Sequence, residues 1–168
     1  MNIKIVIDSA CDMSLADAEK SNIRIVPLKV FFGDKMYLDN VTLSHSEFYE
    51  KLIESTRLPT TSQITPYEFG QVFREETQAG NKVICITVSS KLSGTYQSAF
   101  LAAKDFENVA VVDSLNGSIG ERILADYGVS LINRGKSFEE IVEALNEEKN
   151  NIRLMAMLDT LEYLKKGG

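Results

Sequence analysis

The chain has 168 residues, of which 44% are hydrophobic and 25% charged, and its formal net charge is −6. A chain of this size and composition can bury one substantial core. The negative charge argues against binding to nucleic acid or to an anionic membrane surface, because both call for a clustered basic face. The two cysteines do not suggest a disulfide framework, and no apolar run approaches the roughly 20 residues of a membrane span. The sequence therefore predicts a cytoplasmic protein without an integral membrane segment.

Apolar strands alternate with amphipathic helices along the chain. Strands are predicted at residues 3–7, 23–26, 83–88, 109–112 and 154–158, and an edge hairpin at residues 28–38. Strands that are apolar throughout must be covered on both faces, whereas a half-buried strand alternates polar and apolar residues. The pattern predicts an α/β fold with a mainly parallel sheet and helices on both faces.

Helix starts are marked by a hydroxyl residue followed by an acidic residue three positions later. Four such pairs are assigned to helix starts: Ser14 with Asp17, Ser44 with Glu47, Thr65 with Glu68, and Ser137 with Glu140. A longer helix is predicted at residues 116–134, and a short helical turn at residues 161–166. The helix at residues 44–56 is expected to bury one apolar stripe, formed by Phe48, Tyr49, Leu52 and Ile53.

A hydroxyl-rich turn, residues 89–98, follows the predicted strand at residues 83–88. In open α/β sheets ligands bind outside the carboxyl ends of strands, and the helix start beyond this turn offers free N–H groups to an anion. Gly94 is expected inside the first helical turn, where glycine costs about 1 kcal/mol relative to alanine. Close approach of a ligand to the backbone would account for that cost.

A second polar segment, residues 58–66, is predicted to be a loop before the helix that starts at Thr65. Thr60, Thr61 and Ser62 supply three hydroxyls before the cap residue, more than one helix start can use. The pattern is compatible with two roles for these hydroxyls, the stabilisation of a turn and the binding of a ligand. Taken with the turn at residues 89–98, they suit one small anion, such as a carboxylate, joined to an apolar body.

Other chemistries find less support in the sequence. Neither G-x-x-x-x-G-K-[ST] nor G-x-G-x-x-G is present, so the signal for a phosphate site is weak. A nucleophilic serine needs a base, yet the single histidine, His45, is predicted to be a surface residue. No metal-ligand spacing is present. Asp8 is expected to cap the first helix, with the orientation of site hydroxyls as the alternative.

Motifs along the whole chain resemble those of the DegV family of bacterial fatty-acid-binding proteins. They are I-D-S-A-C-D at residues 7–12, V-P-L at 26–28, L-P-T-T-S-Q at 58–63, S-S-K-L-S-G-T-Y-Q-S-A at 89–99, V-D-S at 112–114 and D-T-L-E-Y-L-K-K-G-G at 159–168. The T-S-Q motif paired with S-S-x-L-S-G-T-Y-Q is the most specific of these.

The resemblance implies a non-enzymatic carrier whose ligand is one long-chain fatty acid and which needs no other cofactor. The hydroxyls of Thr61 and Ser93 would bind the carboxylate, with Ser62, Gly94 and Thr95 nearby and the serines at 89 and 90 as supports. Some family members present the bound acid to a separate fatty acid kinase, which is the expected partner. The alternatives are a serine-dependent hydrolase, a small-molecule kinase domain, or a pure interaction module.

Family members continue past the Gly-Gly with an arginine-containing segment and a second domain that covers the acyl chain. The resemblance therefore implies that this truncated sequence is the N-terminal portion of such a protein. Residues 1–158 would form the α/β domain that binds the fatty-acid head group. Residues 159–168 would begin the connection to a second domain that this chain lacks. In family members the acyl chain lies in a tunnel between the two domains. The first domain alone would form one side of that tunnel and would expose apolar surface.

Overall fold

The structure is a computed structural model that describes residues 2–158, Leu161 and Lys165. Seven strands, six α-helices and one 3-10 helix make up the described part. In chain order they are β1 (Asn2–Asp8), the 3-10 helix (Ser9–Cys11), α1 (Leu15–Lys20), β2 (Ile23–Val26), β3 (Lys29–Phe32), β4 (Lys35–Leu38), α2 (His45–Glu54), β5 (Thr60–Ser62), α3 (Pro66–Gln78), β6 (Asn81–Thr87), α4 (Thr95–Ala103), β7 (Val109–Asp113), α5 (Ile119–Asn133) and α6 (Phe138–Glu148).

The central sheet has four strands in the order β2-β1-β6-β7, and every pair is parallel. Ile7 pairs with Ile86, and Thr87 pairs with Asp113. The carboxyl ends of β1, β6 and β7 therefore lie side by side, and the turns that follow them share one edge of the sheet. This arrangement confirms the predicted parallel sheet.

Helices cover both faces of the central sheet. On one face, Ile7 and Ile86 belong to a buried cluster with Leu124 of α5 and Leu145 of α6. On the other face, residues of β1 and β6 form a second cluster with α3 and α4, including Phe69, Phe73 and Ala99. The predicted two-sided α/β architecture is confirmed, and the burial of both faces explains why these strands are apolar throughout.

A second, antiparallel sheet has the order β4-β3-β5. The predicted hairpin is confirmed as β3 and β4, and Val30 of β3 lies in a small core with Tyr37 and Leu43. The prediction that residues 58–66 form only a loop is wrong, because Thr60–Ser62 is strand β5 and Thr61 pairs with Val30. Three polar residues show no apolar alternation, so only the partner strand reveals this one.

The predicted helix caps are confirmed. Ser14, Ser44, Thr65 and Ser137 each accept the backbone N–H three residues later. The long helix starts at Ile119 rather than at residue 116, because the chain between β7 and α5 forms a tight loop. In that loop Leu115 and Ser118 have positive φ angles of 55° and 51°.

Helix α2 leaves much of its apolar stripe uncovered. Phe48 packs edge-on against Phe32 of β3, with ring centroids 5.7 Å apart. Tyr49 and Ile53 are 62% and 85% exposed, so the prediction that the whole stripe is buried is wrong. Phe48 is the residue of the stripe that packs against the small core of Val30, Tyr37 and Leu43.

The strand predicted at residues 154–158 is also wrong. These residues form no strand, and Met155 and Met157 are 93% and 99% exposed. An isolated strand gains nothing from its backbone, and no strand in the described part pairs with it.

Most of the predicted helical turn at residues 161–166 lies outside the described residues, although the Lys165 N–H donates to the Leu161 carbonyl (2.9 Å). The connection predicted at residues 159–168 also lies almost wholly outside them, so the domain division stays a prediction. No helix within residues 2–158 is long and apolar enough to cross a membrane.

Candidate functional site

The turn after β6 is held by the chain that leaves β7. The N–H of the buried Ser89 donates to the Asn116 carbonyl (2.7 Å). The Ser90 N–H donates to Asp113 Oδ1 (3.0 Å). The Ser89 carbonyl in turn accepts the Ser93 N–H (3.1 Å). These bonds give the turn a defined shape before it reaches α4, with Ser89 and Ser90 as its supports.

Ser93 and Thr95 form a hydroxyl pair at the start of α4. Their Oγ and Oγ1 atoms lie 2.9 Å apart, and Ser93 Oγ also accepts the Thr95 N–H (3.2 Å). Thr95 is fully buried, whereas Ser93 is half-buried. Thr95 therefore orients Ser93, and Ser93 presents the hydroxyl of this pair that a ligand can reach.

Helix α4 begins without a capping side chain. Gly94 is its N-cap residue, one position before the first helical residue rather than within the first turn as predicted, and it has no side chain to accept an N–H. The four helices that start with Ser14, Ser44, Thr65 and Ser137 do have such a cap. The positive end of the α4 dipole thus lies next to the Ser93 hydroxyl, which favours an anion there.

The absence of a side chain at Gly94 makes room for Gln63. A Cβ added at Gly94 would overlap the Gln63 side-chain amide. The same amide donates from Nε2 to Ser98 Oγ (3.0 Å), one turn further along α4. The Gln63 side chain gives Gly94 a structural reason to lack a side chain, and the approach of a ligand to Gly94 stays a prediction.

Gln63 is a residue that sequence reasoning overlooked. It belongs to the T-S-Q motif, and only the structure shows that its side chain reaches α4. Its place in that motif, two residues after Thr61, is the sequence feature that could have identified Gln63 as a site residue. The motif does not show where the side chain points.

Thr61 and Ser62 lie on β5. Thr61 is exposed and Ser62 half-buried, and in the register of the small sheet Ser62 lies opposite Lys29. The expectation that these hydroxyls lie at a helix N-terminus is wrong for Thr61, because a strand carries it. Among the described residues no hydrogen bond joins Thr61 or Ser62 to Ser93. Gln63 makes the connection between β5 and α4.

The charge near β5 is largely neutralised. Lys29 Nζ lies 2.8 Å from Glu68 Oε1. Burial alone would raise the pKa of Glu68, but hydrogen bonds from Lys29 and Thr65 outweigh it and lower that pKa. Hydroxyl and N–H groups, rather than a free cation, are therefore the donors that this part of the chain offers to an anion.

Asp8 caps the 3-10 helix, as the preferred interpretation predicts, and it also joins two strand ends. Its Oδ1 accepts the Ala10 N–H (3.0 Å), and its Oδ2 accepts the Val88 N–H (2.8 Å). Burial raises the pKa of Asp8 to about 6, although both hydrogen bonds oppose the rise. Asp8 therefore holds together the backbone after β1 and the backbone after β6. None of its described hydrogen bonds goes to a hydroxyl of the candidate site.

Among residues 2–158, no histidine, carboxylate or amine is hydrogen-bonded to Ser93 Oγ. The described partner of Ser93 Oγ is the Thr95 hydroxyl, which cannot accept the serine proton as a base would. His45 lies in the first turn of α2 and is exposed, as predicted. Within the described residues, no group of three or more His, Cys, Asp and Glu side chains is placed to hold a metal ion.

A family model described as an uncharacterised protein of the DegV family matches residues 2–168. The chain belongs to the DegV family. A DegV domain-containing protein of Clostridium acetobutylicum is 40% identical over 169 residues, and the match covers 99% of this chain and 60% of that protein. The chain thus spans about three-fifths of the length of this DegV relative.

Two solved DegV-like structures share the fold. A protein described as DegV, a fatty acid binding protein from Bacillus subtilis, has a TM-score of 0.89 and 32% identity, over 100% of this chain and 61% of that one. A protein described as a stearic acid-binding protein from Eubacterium ventriosum has a TM-score of 0.85 and 34% identity, over 99% of this chain and 59% of that one. Both are longer than this chain and carry the same α/β fold over its length.

Proposed function

We propose that this DegV domain binds the carboxylate of a long-chain fatty acid at the N-terminus of α4. The observation that carries the proposal is the half-buried Ser93 hydroxyl, directly before a helix start that has no capping side chain. A carboxylate placed there accepts the Ser93 O–H and meets the positive end of the helix dipole. The Bacillus and Eubacterium proteins, described as binding fatty acid and stearic acid, support this choice of ligand.

Thr95 sets the direction of the Ser93 hydrogen in this proposal. When the buried Thr95 hydroxyl donates to Ser93 Oγ, across the 2.9 Å that separates them, the Ser93 hydrogen is free to point at the ligand. Thr61 supplies a second hydroxyl from β5, and Ser62 lies beside it. Gly94 shapes the helix start through its backbone.

Exposed apolar side chains lie where the acyl chain would run. Leu92 is 73% exposed in the turn after β6, and a Cβ at Gly117 would lie 3.7 Å from it, so the loop before α5 is its neighbour. Leu115 of that loop and Ile119, the first residue of α5, are 39% and 48% exposed. We assign these three side chains to the first part of the acyl chain, because Leu92 directly precedes Ser93 and the loop before α5 is the neighbour of Leu92.

The second part of the proposal is that the protein is a carrier rather than an enzyme and presents its fatty acid to a fatty acid kinase. The kinase would supply ATP and the phosphoryl transfer, in keeping with the missing phosphate-binding motif of this chain. The hydroxyl partner of Ser93 supports a binding role over a hydrolytic one.

Ligand binding is tested on the complete gene product, because the relatives are longer than this chain. Denaturing extraction and mass spectrometry of the purified protein should recover a long-chain fatty acid. Ser93→Ala and Thr61→Ala should each lower the affinity for added stearate by about tenfold, the value of one hydrogen bond to a charged group. Ser46→Ala, which removes an exposed serine hydroxyl on α2, is the matched control. No extracted lipid and no effect of either substitution would refute the proposal.

The carrier role has its own test. With ATP and a fatty acid kinase catalytic subunit, the loaded protein should support acyl phosphate formation, and Ser93→Ala should reduce it. Ser93-dependent hydrolysis of fatty acyl esters by the protein alone would instead identify an enzyme.

A further inference from the structure

Gln63 joins the two sheets at the proposed site. Its backbone is anchored by the next residue, Ile64, which is 1% exposed in the cluster shared with Ala99 of α4. Its side chain then crosses to α4, where Nε2 donates to Oγ of the buried Ser98 (3.0 Å). Thr61, two residues earlier, is held by backbone pairing with Val30 of the small sheet. The Gln63 side chain is therefore a polar contact between the end of β5 and α4, beside the apolar contact that Ile64 makes.

Gly94 is the other half of the contact. The carbon of the Gln63 amide lies 2.8 Å and its nitrogen 3.1 Å from where a Cβ at Gly94 would stand. Any side chain at Gly94 would push the amide away and break its bond to Ser98. Because the amide is the end of a flexible side chain, its displacement needs no shift of the backbone. The folded state then loses the one hydrogen bond to Ser98, and the Gln63 amide no longer holds its place between Thr61 and α4.

We infer that Gln63 is a positioning residue, which sets the separation of the Thr61 and Ser93 hydroxyls by docking against Gly94 and Ser98. The inference rests on the proposed fatty-acid function and assigns to Gln63 and Gly94 a joint role within that site. Gly94 is glycine because Gln63 must lie against it, and this differs from a glycine that admits the ligand itself. The two explanations predict different behaviour when Gln63 is shortened.

A double-mutant cycle separates these explanations. In the complete gene product, Gln63→Ala and Gly94→Ala should each weaken stearate binding by about tenfold, and the double variant should bind no more weakly than either single variant. If Gly94 instead admits the ligand, Gly94→Ala should cost the same factor with or without the Gln63 side chain. Additive losses would overturn the inference.

Stability measurements and matched controls complete the design. Gly94→Ala and Gln63→Ala should each lower the midpoint of urea unfolding slightly and by the same amount, because both lose the bond to Ser98. At protein concentrations and temperatures where both variants are fully folded, stearate affinity should still be reduced, whereas a purely structural role would leave the affinity of the folded variants unchanged. Gly70→Ala in α3, where a Cβ meets nothing within 4 Å, and Gln78→Ala, an exposed glutamine, should leave stearate affinity unchanged. A parent protein that binds no fatty acid overturns the proposed function itself. A parent that binds but shows an additive cycle overturns the role of Gln63 alone.

Discussion

Two polar clusters lie near the carboxyl edge of the parallel sheet, and they differ in the hydrogen bonding and in the charge of their polar groups. The hydroxyl cluster is Ser93, Thr95 and Ser98 with Gln63, and each of its three hydroxyls has a hydrogen-bond partner. The carboxyl cluster is Asp8 and Glu121. Glu121 is fully buried in the first turn of α5, and neither of its carboxyl oxygens has a hydrogen-bond partner in the structure. Proximity to the sheet edge alone therefore does not make a ligand site.

The difference concerns both accessibility and charge. Burial raises the pKa of Glu121 well above its usual value, and Asp8 and Asp12 raise it further. Burial likewise raises the pKa of the Cys11 thiol to about 12. A carboxylate ligand would be desolvated and repelled there. In the hydroxyl cluster neutral donors meet a helix N-terminus, so an anion is favoured. The comparison predicts that polar groups removed from the two clusters change stability in opposite directions.

The largest expected effect is the pH dependence contributed by Asp8. Its folded-state pKa is raised from 3.8 to about 6, so the folded protein binds the proton more tightly than the unfolded chain does. The free energy of unfolding should therefore fall as the pH rises from about 4 to about 6, by about 3 kcal/mol in total. Urea unfolding across this pH range should show this fall together with a contribution from Glu121, whose pKa burial also raises, and Asp8→Asn should make the slope smaller.

The pH slope, rather than the absolute stability, is the quantity to compare for Asp8. Asp8→Asn also loses one hydrogen bond, because its amide N–H group cannot accept from Ala10 or Val88. Asp105→Asn, an exposed aspartate after α4, should follow the parent curve. An Asp8→Asn profile with the parent slope would show that another group titrates in this range.

The second prediction concerns Glu121. Glu121→Met should raise the free energy of unfolding at neutral pH by about 2 kcal/mol, because an apolar side chain of similar size replaces a buried carboxyl group without partners. Denaturant unfolding measures this gain. The matched control is Glu76→Met, since buried Glu76 is paired with Arg24 and Asn81 and its loss should destabilise the fold. Destabilisation by Glu121→Met would mean that the carboxyl group does have a partner.

The smallest expected effect is a contrast between two buried threonines. Thr95→Val should lower the free energy of unfolding by about 1 kcal/mol, because it removes the bond to Ser93. Thr87→Val should be neutral or stabilising, since Thr87 Oγ1 is buried without a partner. Each variant removes one threonine hydroxyl. Thermal or urea unfolding of the two variants compares their changes in the free energy of unfolding. Equal losses would contradict the difference in hydrogen bonding.

Local chemistry explains which parts of the fold were predictable. Helix starts depend on groups three residues apart, so Ser44 and Thr65 could be recognised as caps without knowledge of their neighbours. Strand β5 could not, because three polar residues become a strand only when β3 lies beside them. Residues 154–158 are the opposite case. Their apolar pattern predicts a strand, but no strand in the described part pairs with them.

The location of the candidate site could be predicted from the sequence, whereas the roles of its residues could not. Its location at the turn after β6 follows from a strand, a hydroxyl-rich segment and a helix in succession, which sequence alone displays. The roles within it do not follow, because they depend on which side chains face each other. The motif predicts Ser93 as the contact with Thr95 nearby, and only the structure shows that Thr95 is buried and bonded to Ser93. Only the structure, likewise, shows the Gln63 amide against Gly94.

The sequence by itself determined the α/β architecture, the helix caps and the membership of the DegV family. Alternating apolar segments and capping spacings are local or periodic, and motif order is a property of the chain. Only the tertiary structure decided that β5 is a strand, that Gln63 lies against Gly94, and that Glu121 is buried without a partner. Each of these depends on contacts between residues distant in the chain, and no local pattern encodes them.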